Sequence, residues 1–352
     1  MIAELDFNIT KVTQSKLRDI SLDNVPFGKY FSDHMLEVDY ENGEWQIPSI
    51  KPYQALSLDP SLAALHYGQA IFEGIKAYKD ANGKAHIFRP YDNFKRFNLS
   101  AERMEMPAVP EHIFIEGLRK LIDIEIDWIP GKADHSLYIR PFMFSTDEAI
   151  GVKPSSKYKF LIILSPTGPY YATPMRIYVE EKYVRSVKGG FGNAKAAGNY
   201  AGSLKAASIA NKQGYDQVLW MDAFEHKYVE ECGTMNVFFA IGDKIITPSL
   251  NDGTILAGVT RDSAITLLED DGFVIEERKL SIDEIMVAYK EGTLKEIFGT
   301  GTAATISMIK ELRYKDFVMT FDTTKWTIAP GVKSKMDAIK YGKIPDIHNW
   351  ML

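Results

Sequence analysis

The feature that most constrains this chain is a glycine-rich segment, Lys188 to Gly202, which reads Lys-Gly-Gly-Phe-Gly-Asn-Ala-Lys-Ala-Ala-Gly-Asn-Tyr-Ala-Gly. Five glycines lie between Gly189 and Gly202, where the average of 25 in 352 residues would give about one. This density predicts tight or left-handed turns that side chains would forbid. Lys195 is the residue with reactive chemistry inside these turns, and a partly desolvated lysine amine can act as a Schiff-base nucleophile.

Other interpretations of this segment differ in how well they fit. A lysine is most often a solvated surface charge, and that alternative remains open from the segment alone. A phosphate-binding P-loop needs Gly-Lys-Ser or Gly-Lys-Thr, but Lys195 stands between Ala194 and Ala196. The dinucleotide-binding fingerprint also fails, because Lys195 follows Gly190 and Gly192 where a third glycine is needed.

Composition excludes several classes of protein. The chain has 352 residues, 45% of them hydrophobic and 25% charged, which suits a globular protein of two domains. Its net charge of -6 argues against nucleic acid or an anionic membrane as the main partner. The apolar runs are too short for a membrane span, the seven histidines lack metal-site spacing, and a single cysteine excludes an internal disulfide. The N-terminus has no signal-peptide pattern, so a cytoplasmic location is expected and no metal is.

The domain boundary is predicted near the middle of the chain. The run Ser-Pro-Thr-Gly-Pro-Tyr-Tyr, which begins at Ser165, cannot continue a strand. We therefore expect a smaller N-terminal α/β domain in residues 1–168, an interdomain linker in 169–174, and a larger C-terminal domain in 175–352 that carries Lys195.

The N-terminal half contains a hairpin pattern and a candidate anion-binding side chain. Runs at 71–78 and 85–88 are typical of strands joined through Asn82-Gly83. Asp92 can cap a helix whose first turns carry Arg96, and a guanidinium near a helix start predicts an anion site, although an exposed arginine is the alternative.

A helix and a strand pair are predicted next. Apolar residues at 114, 115, 118, 121 and 122 predict an amphipathic helix, and 136–144 and 158–164 predict buried strands. Tyr138 and Arg140 alternate with apolar neighbours and so share one strand face. That pair could bind a carboxylate or could form a solvated face.

In the C-terminal half, a helix is expected at 201–212, ending at Gly214, with strands at 217–221, 227–231 and 237–241. Glu230 and Glu231 should point to opposite faces of their strand. Ser281-Ile-Asp-Glu is a capping box that opens a helix.

Two further segments of the C-terminal half suit anions. Gly258-Val259-Thr260 precedes a helix at 261–269, whose N-terminus favours a phosphate by about 0.3–1 kcal/mol. A strand at 296–298 leads into Gly-Thr-Gly-Thr-Ala, which we expect to be a turn rich in backbone donors.

These residues together resemble a known family. The sequence resembles the branched-chain amino-acid aminotransferases, which are pyridoxal-phosphate enzymes of fold type IV. The resemblance rests on seven motifs in the family's order between residues 66 and 303: HYGQAIFEGIKAY from His66, FRPYDNFKRF from Phe88, YIRP from Tyr138, the segment from Lys188 to Gly202, VEECGTMN from Val229, GVTR from Gly258, and FGTGTA from Phe298. It implies an α+β fold of two α/β domains with the cofactor at the domain interface.

The resemblance also implies roles for these residues around pyridoxal 5'-phosphate. Lys195 would be the catalytic residue that binds the cofactor covalently and shuttles the substrate proton. Glu231 would pair with the pyridine nitrogen, and Tyr200 with the phenolic oxygen. The other implied cofactor contacts are Arg96, Thr234, Val259, Thr260 and Thr302.

For the substrate, the resemblance implies a branched-chain amino acid, with 2-oxoglutarate and glutamate as the exchanging pair. Thr302, Ala303 and Tyr138 would bind the α-carboxylate, and Arg140 would bind the second carboxylate of glutamate. The aliphatic side chain would lie among Phe72, Tyr170 and Tyr200, with Tyr67 supplied by a second subunit of a homodimer. The family's mammalian members carry a Cys-x-x-Cys after the last motif, where this chain has Ala304 and Ser307.

Three alternatives remain from the sequence. D-amino-acid aminotransferases and aminodeoxychorismate lyases share the lysine, the glutamate and the phosphate contacts, although Tyr138 and Arg140 favour the branched-chain interpretation. A non-catalytic protein that retains the fold is the third.

Overall fold

The computed structural model describes residues 7–170 and 173–352, so Tyr171 and Ala172 of the predicted linker lie outside the described residues. The chain forms two compact units. Unit 1 comprises Met1–Tyr170, Ala194–Gly198 and Ile339–Leu352, and unit 2 comprises Tyr171–Asn193 and Asn199–Ala338. These assignments differ from the predicted domains in two segments, because 194–198 and 339–352 belong to unit 1.

In unit 1 the described residues form a nine-stranded sheet. Its strands are Asn8–Ile9 (β1), His34–Glu41 (β2), Glu44–Trp45 (β3), Ser49–Pro52 (β4), Ala70–Phe72 (β5), Ile75–Lys79 (β6), Ala85–Ile87 (β7), Ser136–Ser145 (β8) and Tyr158–Thr167 (β9). The main order is β1-β4-β2-β9-β8-β6-β7, with β3 paired to β2 and β5 paired to β8. All of these pairs are antiparallel except β1 with β4.

Helices cover this sheet with the apolar face that the sequence predicts. They are Ala63–Tyr67 (α1), Pro90–Arg103 (α2) and Gly117–Ile124 (α3), the last preceded by a π-helical turn at His112–Glu116. The five predicted apolar positions, residues 114, 115, 118, 121 and 122, are all buried in the core of unit 1. The amphipathic-helix prediction is therefore confirmed, with a break in the helical hydrogen-bond pattern near residue 117.

The start of α2 corrects a predicted cap. Pro90 is the first helical residue, and Arg89 occupies the N-cap position without a capping side-chain bond. Asp92 lies inside the first turn, where its carboxylate accepts from Arg89 Nε at 2.7 Å. The predicted cap at Asp92 is wrong because proline already has the backbone angle that begins a helix.

The predicted hairpin is confirmed, but its first strand is interrupted. Strands β6 and β7 pair antiparallel around Gly83, whose φ is +82°. The run predicted at 71–78 breaks between β5 and β6, at Glu73 and Gly74. A Cβ on Gly74 would lie 2.4 Å from the Tyr138 hydroxyl, so only glycine allows this close approach.

Strand β9 is longer than the sequence predicts. It runs to Thr167, and Pro166 pairs with Leu137 of β8. The other neighbour, β2, pairs with β9 only from Tyr158 to Ile162, so the missing N–H of Pro166 removes no ladder bond on that side. The prediction that the strand ends at Leu164 is therefore wrong.

In unit 2 the described residues form a second nine-stranded sheet of mixed direction. Its strands are Met175–Val179 (β10), Gln217–Met221 (β11), Val229–Cys232 (β12), Asn236–Ile241 (β13), Lys244–Thr247 (β14), Val274–Glu277 (β15), Leu294–Gly301 (β16), Thr305–Tyr314 (β17) and Phe317–Thr320 (β18). The order is β12-β11-β10-β17-β16-β13-β14-β15, with β18 paired to β17. Strand β10 is parallel to both of its neighbours, and β14 is parallel to β15.

The remaining helices are Ala197–Lys212 (α4), Val259–Asp270 (α5), Ile282–Lys290 (α6) and Ile328–Lys340 (α7). Helix α4 begins four residues before its predicted start and ends before Gly214, as predicted. The capping box of α6 is confirmed, since Ser281 Oγ accepts from the Glu284 N–H at 3.1 Å. The expected turn after residue 298 is shorter than predicted, because Gly299 to Gly301 still pair with β17.

Strand β12 carries two adjacent carboxylates in different surroundings. Glu230 is 7% exposed, and its Oε2 has no hydrogen-bond partner among the described residues. Burial raises the pKa of Glu230 to about 7, against a hydrogen bond with Thr254 and the charge of Arg185, while the charges of Glu231 and Asp222 raise it further. Glu230 is therefore a proton-binding group of unit 2 near neutral pH.

This proton should make the stability of the protein depend on pH. An unfolded glutamate loses its proton near pH 4.5, whereas folded Glu230 keeps it to about pH 7. Between these values the folded state binds more protons, so the free energy of unfolding falls with rising pH, by up to about 3 kcal/mol. We expect Glu230→Gln to remove this loss. The variant should be more stable than the wild type at pH 8, and the difference in their free energies of unfolding should be much smaller at pH 5.

Urea denaturation at the two pH values measures the difference. Glu225→Gln is the matched control, because Glu225 is exposed and the same substitution there should leave the pH dependence unchanged. Parallel pH profiles of wild type and Glu230→Gln would contradict the prediction.

Candidate functional site

The main chain of Lys195 is fixed on both sides within unit 1. Its N–H donates to Ser100 Oγ at 2.9 Å, and its carbonyl accepts from the Phe72 N–H at 3.1 Å. Its neighbours Ala194 and Ala196 are buried in the core of this unit. We call these contacts the lysine anchor, and they explain why 194–198 belong to unit 1. The turns predicted around the lysine are present in part, since Gly189 has a φ of +81°.

Two cations of the predicted site lie over the ring of Phe72. Lys195 Nζ lies 4.6 Å from the ring centroid, and Arg140 Cζ lies 4.4 Å from it. Arg140 Nη2 also donates to the Tyr138 hydroxyl at 3.0 Å, which confirms that these two side chains share a strand face. The Nε atom of Arg140 is buried and has no hydrogen-bond partner among the described residues. The structure therefore brings Phe72, Tyr138, Arg140 and Lys195 together.

Arg96 is held by a carboxylate that the sequence analysis did not identify. Its Nε and Nη2 donate to the two oxygens of Glu73 at 2.7 and 2.8 Å, and Asn93 Nδ2 donates to the same group at 2.8 Å. Glu73 is fully buried. Burial raises the pKa of Glu73, but the charge and hydrogen bonds of Arg96, together with the charge of Lys195, hold it below its usual value. Arg96 is thus a buried, oriented guanidinium.

Further aromatic side chains of unit 1 contact Tyr138 or belong to the predicted substrate site. Phe27 makes edge contacts with the ring of Tyr138 at 4.8 Å and with the ring of Tyr170 at 5.1 Å. Phe27 was not among the predicted residues, because no local sequence pattern indicates it. Tyr67 lies at the end of α1 and is 42% exposed.

In unit 2, Glu231 is the centre of a second buried cluster. Its Oε2 pairs with Arg185 Nε at 2.7 Å, and its Oε1 accepts from the Leu256 N–H at 2.9 Å. The side chains of Glu231 and Arg185 are 3% and 7% exposed. Arg185 also donates through Nη1 to the Thr254 carbonyl at 2.9 Å. This carboxylate is stabilised in its ionised form by a guanidinium and a backbone donor.

Asn236 connects Glu231 to the loop that begins α5. Its Nδ2 donates to the Leu256 carbonyl at 2.9 Å and to Glu231 Oε1 at 3.4 Å. Helix α5 starts at Val259 after Gly258, which has no side chain to cap it. The helix thus begins two residues before its predicted start at Arg261, and Val259 and Thr260 are its first two residues, whose free backbone donors suit an anion.

The other predicted residues of unit 2 lie in turns and on helix α4. Thr302 and Ala303 form the turn between β16 and β17 and are half-buried. Thr300, just before this turn, has a buried Oγ1 without a hydrogen-bond partner among the described residues. Tyr200 lies in the first turns of α4, and Thr234 is exposed in the turn between β12 and β13.

Glu73 and Arg185 are the charged residues that sequence reasoning missed. Each lies within a quoted motif or next to one, Glu73 in Phe-Glu-Gly and Arg185 three residues before Lys188. A charged residue within an apolar strand run was the available signal for Glu73, because charged side chains are almost never fully buried unless paired.

The described residues show neither a metal-binding cluster nor a membrane-spanning helix. Residues 7–170 and 173–352 contain no group of three or more histidine, cysteine, aspartate or glutamate side chains that could hold a metal ion. No helix in that same part of the chain is long and apolar enough to cross a membrane.

Comparison with known proteins gives consistent matches. The family described as amino-transferase class IV matches residues 70–312. A probable branched-chain-amino-acid aminotransferase of Staphylococcus epidermidis is 50% identical over 333 residues, covering 93% of this chain and 92% of the relative. The branched-chain-amino-acid transaminase 1 of Bacillus subtilis is 48% identical over 330 residues, covering 92% of each chain.

A solved structure agrees in fold. The branched-chain aminotransferase of the thermophilic archaeon Thermoproteus uzoniensis, crystallised with norvaline, matches with a TM-score of 0.73 and 25% identity over 90% of this chain and 98% of its own. The predicted α+β architecture of fold type IV is thereby confirmed. With relatives matching more than nine-tenths of its length, the chain belongs to amino-transferase class IV and, within it, to the family of branched-chain-amino-acid aminotransferases.

Proposed function

We propose that this aminotransferase moves the amino group of L-leucine, L-isoleucine or L-valine reversibly to 2-oxoglutarate in two half-reactions, with pyridoxal 5'-phosphate as cofactor. The observation that carries the proposal is the lysine anchor, which fixes the backbone of one half-buried lysine while its amine lies over Phe72. An amine that binds a carbonyl compound covalently needs such a fixed origin.

Each unit contains groups that suit parts of pyridoxal 5'-phosphate. In unit 1 the oriented guanidinium of Arg96 suits a phosphate, and in unit 2 the helix N-terminus at Val259 and Thr260 and the hydroxyl of Thr302 suit one as well. A protonated pyridine nitrogen suits the ionised, buried carboxylate of Glu231. In the proposal Tyr200 contacts the phenolic oxygen and Thr234 the ring edge. The bound cofactor would supply an electron sink for negative charge at the substrate α-carbon.

Residues of this chain would then orient the substrate and move one proton. Lys195, the proposed catalytic residue, would take the proton from the α-carbon of the amino-acid substrate in one half-reaction. In the other half-reaction it would give a proton to the α-carbon of the amino acid that is formed. Tyr138, Thr302 and Ala303 would bind the α-carboxylate. Phe72, Tyr170 and Tyr200 would contact the aliphatic side chain and exclude water from it.

Arg140 supports the use of glutamate. Its Nε is a buried donor that finds no hydrogen-bond partner among the described residues, while Nη2 is bonded to Tyr138. A second carboxylate can accept from such a guanidinium, whereas an aliphatic side chain can pack on Phe72 instead. One site would therefore accept both substrates in turn.

The assembly and location belong to the same proposal. Tyr67 is exposed on α1, and we propose that it completes the substrate site of a second copy of this chain in a homodimer. The proposal also includes a cytoplasmic location.

Removal of the lysine amine should abolish the activity. Lys195→Ala takes away the covalent contact and the proton carrier, so we expect transamination from L-leucine to 2-oxoglutarate to fall by about 10²–10⁴-fold or more. Glutamate formation measures the rate. Lys188→Ala is the matched control, because Lys188 lies in the same segment with a side chain 70% exposed. Full activity of Lys195→Ala, or a wild type that prefers D-alanine to L-leucine, would contradict the proposal.

The charge of Glu231 should matter separately from its shape. Glu231→Gln keeps the side-chain size but leaves Arg185 without its carboxylate partner. We expect kcat to fall by about 10²–10³-fold, because the preorganised charge that would pair with the pyridine nitrogen is removed. Steady-state kinetics with L-leucine test this, with the exposed Glu291→Gln as control. A variant with unchanged kcat would show that this carboxylate serves only the packing of unit 2.

A further inference from the structure

Ser100 connects the lysine anchor to the helix of Arg96. It lies one turn after Arg96 in α2 and is 1% exposed. Its Oγ accepts from the Lys195 N–H at 2.9 Å and donates to the Arg96 carbonyl at 3.0 Å. One buried hydroxyl therefore contacts the backbones of both the proposed catalytic lysine and the proposed phosphate ligand.

The two hydrogen bonds fix the direction of this hydroxyl. A serine has one hydroxyl proton and two acceptor lone pairs. Donation to the carbonyl one turn earlier is a common arrangement in helices, and it leaves the lone pairs for the Lys195 N–H. Because donation to the Arg96 carbonyl polarises the hydroxyl, its oxygen is a better acceptor for the Lys195 N–H.

The lysine anchor contains one hydrogen bond at each of the two peptide groups of Lys195. The Phe72 N–H holds the carbonyl of Lys195, whereas Ser100 holds the N–H. The flanking Ala194 and Ala196 are 3% and 0% exposed, and their side chains are apolar. Without the hydroxyl, the N–H would lose its acceptor at 2.9 Å, and the backbone would shift because an unpaired buried donor is unfavourable.

We propose that Ser100 is a positioning residue for Lys195, which sets where the amine originates relative to Arg96. The inference rests on the proposed function, since it assumes that Lys195 and Arg96 hold the same cofactor. Ser100 would act through the lysine backbone and not by touching substrate or cofactor. A displacement of about 1 Å at the reacting group can cost up to about 10²-fold in rate, so a single backbone bond is enough to matter.

The variant Ser100→Ala removes the hydroxyl and adds no bulk. We expect kcat for L-leucine with 2-oxoglutarate to fall by about tenfold, with KM within about twofold, because the reacting geometry is disturbed and the substrate contacts are not. We also expect amide hydrogen exchange in the peptide that contains Lys195 to accelerate by about tenfold in the cofactor-free protein.

Thr266→Ala is the matched control. Thr266 in α5 makes the same hydroxyl bond to a carbonyl one turn earlier, that of Asp262 at 3.1 Å, but it is only half-buried and lies in unit 2, whereas the lysine anchor is in unit 1. The control should leave kcat and the exchange of the Lys195 peptide unchanged. Thermal unfolding of each variant separates a loss of folded protein from a loss of rate.

The outcomes separate the inference from the proposed function. An active wild type with an unchanged kcat in Ser100→Ala, whatever its melting temperature, would overturn the inference alone. Unchanged hydrogen exchange at Lys195 would overturn it as well. A wild type that fails to transaminate L-leucine in the presence of pyridoxal 5'-phosphate would overturn the proposed function, and the inference with it.

Discussion

The hydrogen bonds at the two peptide groups of Lys195 are the constraint on which the site depends. A lysine that binds a carbonyl compound, leaves it and returns must have a mobile amine and an immobile origin. Here the backbone is bonded to Ser100 and Phe72, and the neighbouring alanines are buried in the core of unit 1. The amine lies over one ring face, a contact without fixed direction, so it can move while the Cα cannot.

Each unit also buries one carboxylate with one guanidinium: Glu73 with Arg96 in unit 1, and Glu231 with Arg185 in unit 2. Such pairs contribute little to the stability of a fold, because the free energy lost in desolvation often exceeds the attraction between the charges. Apolar residues of similar size can replace them without loss of stability. Their value lies in direction. Two hydrogen bonds fix each group: Arg96 donates through two nitrogens, and each oxygen of Glu231 accepts from a different donor. Each group therefore keeps its charge and orientation when a ligand binds. The buried pairs are therefore better explained by the proposed site than by the fold.

The elements that the sequence predicted correctly depend on neighbours in the chain. The hairpin at Gly83, the buried face of the helix near residue 118 and the capping box at Ser281 are each set by local spacing. The errors have distant causes. Whether Pro166 can lie in a strand depends on which edge of β9 is paired, and this pairing involves residues more than twenty positions away. The candidate site shows the same division. Local motifs predicted Lys195 and Glu231 as candidates, whereas Ser100 has no motif of its own, because it contacts a residue 95 positions away in the sequence.

The adjacent residues Glu230 and Glu231 give strand β12 two carboxyl groups in different surroundings. Two negative charges on neighbouring residues repel each other, and Arg185 pairs directly with Glu231. The second carboxyl is buried with a pKa of about 7, so at and below neutral pH it can avoid this repulsion by holding a proton. Because the two charges interact, a cation bound at Glu231 and the loss of the Glu230 proton favour each other. The strand thereby couples the proton on Glu230 to the cation that pairs with Glu231.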